Sequence, residues 1–225
     1  MARRPIFLPY SSSPYVEKKN IEFQWYPGFA KSQAQKSIKS LHQATERSGI
    51  SPILEISGKS AEPLGVSLSA FNLSINDRMS VECAYQGSKV FKNGGPYTDL
   101  YSRSSREAKT DPRLRNSGEL IAFKFWGEDF PIQPQTGFYN WLYIQALGQN
   151  QNLARELENF QGFSDIAFNP KRSINCQARA AAIFVSLSRH QQQLLEQILE
   201  NDKIKDSFNS FSRIVSQEPE QGKLF

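Results

Sequence analysis

Cysteine and histidine are nearly absent, two of each in 225 residues: Cys83, Cys176, His42 and His190. Two cysteines exclude a disulfide framework, and each stands in a half-apolar, helix-like context where a reduced, buried thiol is the ordinary outcome. These four residues are too scattered for the usual zinc spacings, and the shortage of histidine also argues against His-based triads. No metal and no other cofactor is implied. Both GxGxxG and GxxxxGK[ST] are missing, which removes the common nucleotide-binding loops. No apolar run approaches the ~20 residues that span a bilayer. The opening MARRPIFLPY reaches Pro9 and a serine cluster before a signal-like apolar stretch forms, so the expected location is the cytoplasm, with no membrane partner. Chemistry is left to carboxylates, lysine, arginine, tyrosine and asparagine.

What is present is apolar mass and positive charge. Hydrophobic residues make up 39% of the chain, with 16 Phe, 8 Tyr and 3 Trp, enough for one large core with an appendage. A formal charge of +5 favours an anionic partner, although the placement of the charge matters more than its sum.

Periodicity predicts an amphipathic helix over 31–49, with Ala34, Ile38, Leu41 and Ala44 on one stripe and Gly49 as its stop. Strands are expected at 51–58 and at 64–73, the latter because Val66, Leu68 and Ala70 alternate with serines. A helix follows over 80–91 (SVECAYQGSKVF), then a loop at 93–100 and a short helix from 104. Ile121, Phe123 and Phe125 share one face of a buried strand at 119–127, and Thr136 is placed to cap a helix over 136–150. Further helices are expected at 152–160, 173–187 and 191–201, with a short strand at 163–168 and a polar, loosely held tail. Helices and strands without regular alternation predict an α+β fold, a helix-rich single domain on a small β-sheet. There is no internal repeat and no Gly/Ser linker. The simplest division is a catalytic domain over 1–190 and a C-terminal helical extension and tail over 191–225.

Several clusters have the residue types for a site. SVECAYQGSKVF sets Glu82, Gln86 and Lys89 in a row beside Val81 and Ala84, and Tyr85 flanks that row. Seven residues separate Glu82 from Lys89, too far for the direct pair that spacings of three or four allow; the row is either a solvated face or the wall of a cleft. SRSSREAKTDPRLR (102–115) carries Arg103, Arg106, Lys109, Arg113 and Arg115 against Glu107 and Asp111, a match for phosphates or an ordinary salt-bridged surface. Lys59 in ISGKS follows a strand; a lysine there reads first as an exposed loop residue, or else as a nucleophile if desolvated. GGP at 94–96 is a tight turn or a point of close backbone approach. Asp165 stands at a strand end and Asn175 before an apolar helix, where both fit turn and cap roles as well as ligand binding.

In order, LSAFNL, SVECAYQGSKVF, EAKTDPR and FSDIAFNPKRSINCQARAA resemble the NADAR family, related to YbiA. That family runs LSNF, a helix with SVEHYYQAxK, an AK…GR segment, then D-x-x-W-G followed by N-x-LG. Here Ala70 replaces an Asn and Cys83 a His, while Phe168 and Asn169 stand for Trp and Gly; Asp165 and Asn175 fall on the late Asp and Asn. RRPIFLPY, EFQWYPGFAKSQAQKSI, LEISGKSAEPLGVSLSAFNL and GGPYTDL are similar to one branch, the NADAR antitoxins paired with DarT-type guanine ADP-ribosyltransferase toxins. The resemblance covers about residues 3 to 188.

It implies a YbiA-like fold and a hydrolase that removes ADP-ribose from guanine in DNA, reversing a toxin. Partners would be ADP-ribosylated DNA with the guanine single-stranded or flipped, the ADP-ribose product and a cognate DarT-type toxin. Glu82 would be the general acid/base, Lys59 a nucleophile or charge stabiliser, and Asp165 and Asn175 would orient the ribose hydroxyls. Lys89 with Arg106 or Lys109 would face the diphosphate, Tyr97 would stack on a base, and Asn72, Tyr85 and Gln86 would complete the binding set. Two other readings stand beside it: an antitoxin that binds toxin or DNA without catalysis, and an N-glycosidase acting on a riboflavin-pathway intermediate.

Overall fold

The computed structural model describes residues 1–169, 173–200 and 203–215. It is a mixed α+β domain whose elements run, in order, β1 (Ala2–Pro9), β2 (Val16–Phe23), α1 (Lys31–Glu46), β3 (Ile53–Glu55), α2 (Pro63–Ser67), β4 (Ser74–Ile75), β5 (Met79–Ser80), α3 (Val81–Gly87) and β6 (Lys89–Phe91). A 3-10 turn (Thr98–Ser102) leads to α4 (Ser105–Thr110), α5 (Arg113–Asn116), β7 (Leu120–Phe125), β8 (Glu128–Phe130), α6 (Gly137–Gln149) and α7 (Gln151–Leu157). β9 (Gly162–Ser164), α8 (Gln177–His190), α9 (Gln192–Leu199) and α10 (Ile204–Val215) complete it.

The main sheet has the order β2-β1-β9-β3, with β3 and β9 parallel. Side chains alternate across it, as the pleat requires. Ile6 and Ile53 point to the face that α1 covers with Ile38 and Leu41, while Phe7, Leu54 and Phe163 point to the opposite face, into the cluster built by α6 and α8. α6 is buried almost all round, which makes it the central helix. β6-β7-β8 form a second sheet, and β4-β5 a short hairpin.

Local expectation and structure differ at six places. The segment 64–73 is not a strand: Pro63 opens α2 with its φ already set for a helix, and a turn follows. The 80–91 helix ends at Gly87; Ser88 turns its hydroxyl back to the Ala84 carbonyl, and Lys89 begins β6, paired with Phe123. Ile121 is 51% exposed although Phe123 and Phe125 on the same face are buried, because β8 pairs only from Phe123 onward. Thr136 precedes α6 but makes no backbone cap; its hydroxyl accepts from the Asn140 amide at 3.1 Å. The tail over 204–215 is not loose: Phe208, Phe211 and Val215 of α10 are buried in the main cluster, and Trp141 Nε1 donates to Ser207 Oγ at 2.9 Å. β1 and β2 form an eight-pair hairpin that periodicity missed, since Pro5 and Pro9 argue against a strand. Among the described residues, no helix is long and apolar enough to cross a membrane.

Candidate active site

Three segments meet where α3 begins. Ser80 caps α3, its Oγ accepting from Cys83 N at 3.1 Å, and Glu82 N donates to the Ala70 carbonyl at 2.8 Å. Gln177 at the start of α8 fixes the same loop from the other side: its amide accepts from Ala70 N and donates to the Ile56 carbonyl just beyond β3. The LSAF loop, the first turn of α3 and the end of β3 are thereby held in one arrangement.

Glu82 is only 5% exposed. Its Oε1 accepts from Gln86 Nε2 at 2.9 Å and lies 3.7 Å from Lys109 Nζ of α4. Charge inside a low-dielectric wall is costly unless donors surround it, and these two supply them. Lys89, although on β6, stays beside the row: its ammonium lies 4.7 Å above the Tyr85 ring. Burial lowers the Lys89 pKa to about 8 against the pull of Glu82, with Lys109 lowering it further. Tyr85 accepts a 2.6 Å hydrogen bond from Asn175 Nδ2, and burial raises its pKa. Two acceptors in this wall, Gln86 Oε1 and Asn175 Oδ1, are buried without a hydrogen-bond partner. Acceptors held in that way suit the hydroxyls of a bound ligand.

Asp165 follows β9, where it caps its own turn by accepting from Ala167 N (3.0 Å) and Phe168 N (3.1 Å). Burial holds its carboxyl well above the usual range, the neighbouring Glu55 charge adds to this, and the two backbone amides oppose it. Tyr139 of α6, 7% exposed, packs edge-on to Tyr85 at 5.2 Å; burial raises its pKa, and the charges of both Glu82 and Asp165 add to the shift. Sequence reasoning missed Tyr139 because it sits in an apolar helix, and its hydroxyl was the one visible signal.

Glu55, also missed, is 2% exposed and accepts from Ser57 Oγ (2.6 Å), Ser164 Oγ (2.5 Å) and Ile166 N (2.9 Å). Burial raises its pKa while these donors lower it. Ser57 Oγ in turn accepts from Lys59 N at 3.1 Å, so one carboxylate braces the turn carrying Lys59 and the turn carrying Asp165, at adjacent ends of parallel strands. Strand ends of this kind are where parallel sheets display ligand-binding groups.

The side chains of the remaining candidates are exposed or hydrogen-bond elsewhere. Lys59 itself is exposed. Asn72 donates its amide back to the Val66 carbonyl at 2.8 Å, and Arg106 is exposed on α4. Tyr97 hydrogen-bonds Ser117, packs near Phe91 and lies under the Arg113 guanidinium at 4.4 Å. Arg113 is held by Asp99 and Asp111, so part of the positive charge in 102–115 is neutralised internally. Cys83, where the resemblance expects His, faces Leu100 and Ala108 and donates to the Arg103 carbonyl.

A family model described as DarT1-associated NADAR antitoxin matches residues 2–222. The search of curated proteins found no match.

Proposed function

The chain belongs to the DarT1-associated NADAR antitoxins, and from that premise we propose that it hydrolyses the N-glycosidic bond joining ADP-ribose to guanine in DNA. The observation that carries the reading is Glu82, a carboxylate withdrawn from water yet held by Gln86 and Lys109 beside two unpartnered acceptors. Glycosidic cleavage builds positive charge on the sugar, and a fixed carboxylate lowers that barrier. A water oxygen bonds to the anomeric carbon as the carbon–nitrogen bond breaks. Glu82 takes the proton from that water and returns it to the guanine nitrogen, so ADP-ribose and unmodified guanine leave. Gln86 Oε1 and Asn175 Oδ1 accept from ribose hydroxyls, Lys89 and Lys109 face the diphosphate, and Asp165 orients the distal sugar. Lys59 serves as charge stabiliser, or as a nucleophile that captures the ring-opened sugar as an imine.

Purified protein incubated with guanine-ADP-ribosylated oligonucleotide tests this directly. Release of free ADP-ribose over many turnovers is expected, and Glu82→Gln should lower the rate at least about a hundredfold with the fold intact. Protection only at one-to-one stoichiometry would replace the enzyme with a binder. Borohydride during turnover should trap a Lys59 adduct if the imine route operates; without an adduct, Lys59 keeps only the stabilising role.

A further inference from the structure

On the other face of the β3/β9 strand ends, between α1 and the 55–62 segment, lies a cavity of about 460 Å³ lined by Gln35, Lys36, Lys39, Ser60 and Glu62, with Glu55 and His42 at its base. Its size is that of a ligand site, for which ~300–1,000 Å³ is typical. The turn carrying Lys59 separates it from Glu82: Ser60 lines the cavity and bonds back to the Ser57 carbonyl at 3.0 Å, while Ile56, just before that turn, is tied through Gln177 and Ala70 to Glu82.

Charge and aromatic surface flank this opening. α1 carries Lys31, Lys36 and Lys39 and no acid before Glu46, and among the described residues no ion pair involves these lysines. The segment before α1 is laid along the helix by hydrogen bonds from Gln24 N to Ser40 and from Tyr26 N to Ser37. It presents Phe29 fully exposed and Tyr26 38% exposed. Unpaired lysines on a helix next to a segment with exposed rings suit a single-stranded polynucleotide, since the cations follow phosphates and the rings stack on bases of any sequence. Inside the cavity, the Gln35 amide offers a donor and an acceptor, and the Glu62 carboxylate offers an acceptor for an N–H.

Resting on the activity proposed above, we infer that this α1 surface seats the polynucleotide strand on the guanine side of the scissile bond. ADP-ribose occupies the Glu82 face, and the bond to be broken lies over the turn between them.

Fluorescence anisotropy of a labelled, unmodified single-stranded oligonucleotide tests the surface without catalysis. Replacing both lysines (K36A/K39A) should weaken binding about tenfold or more at low salt and reduce the salt slope by roughly 1.4, two phosphate contacts at ~0.7 each. Phe29→Ala should weaken it about fivefold or more with the slope unchanged. With modified substrates, K36A/K39A should lower kcat/KM on the oligonucleotide and leave cleavage of the ADP-ribosylated nucleoside unaltered. Wild-type affinity and slope in K36A/K39A would overturn the inference, as would equal loss on both substrates. Lysine-dependent binding without cleavage of either substrate would remove the enzymatic reading and leave the surface standing.

Discussion

Lys89 has an ammonium above an aromatic ring, and burial brings its pKa from 10.5 to about 8. The unfolded chain therefore binds the proton more tightly than the folded one, so stability rises with pH between about 8 and 10.5 and is flat below that window. Urea unfolding of Lys89→Met should lack this rise, and below pH 8 the variant should be more stable by about 1–3 kcal/mol. ADP-ribose binding should fall in the same variant. A diphosphate beside Lys89 should also restore its proton, so calorimetry near pH 8 in buffers of different ionisation enthalpy should show proton uptake by the wild type. Removing charge at this position then separates stability from function, the pattern expected of a residue retained for a ligand. Glu82 and Gln86 were legible as members of a polar row, but the spacing alone left open whether that row faced water.

α3 is short, and its place is set by contacts that a single atom would disturb. A Cβ on Gly87 would come 2.5 Å from the Tyr101 ring, so Gly87→Ala must push α3 away from the 3-10 turn. A cost of about 1–3 kcal/mol is expected in thermal melts, with Glu82 displaced and activity lost beyond what the stability change explains. At the strand ends, Glu55 braces two turns at once. Glu55→Leu would leave the Ile166 amide and the Ser57 hydroxyl proton without an acceptor, while Ser164 keeps its 2.9 Å bond with His42 Nε2, for an expected loss of roughly 2–4 kcal/mol by urea unfolding. The element-level misreadings share one cause. Alternation at 64–73 and helical spacing at 80–91 were real local patterns, but Pro63 and the pairing of Lys89 with Phe123 overrode them.

Across the whole molecule, α10 returns to cover the central helix. Phe208 packs edge-on to Trp141 at 5.9 Å and to Phe130 at 5.1 Å. Phe208→Ala should cost about 3–5 kcal/mol and shift the tryptophan fluorescence, which a loosely held tail would leave unmoved. The two faces of the main sheet are covered differently: α1, with its lysines, packs on one, and α6 and α8 pack on the other.

From the sequence alone came the order of the motifs, the reduced cysteines and the row on α3, because motif order and short-range spacing are properties of the chain itself. The edge-on packing of Tyr139 against Tyr85, the bracing of two turns by Glu55, and the burial of residues near position 210 were decided by tertiary structure. These contacts join residues far apart in the chain, and burial, the dominant cause of the pKa shifts at Lys89 and Asp165, exists only once the helices close over the sheet.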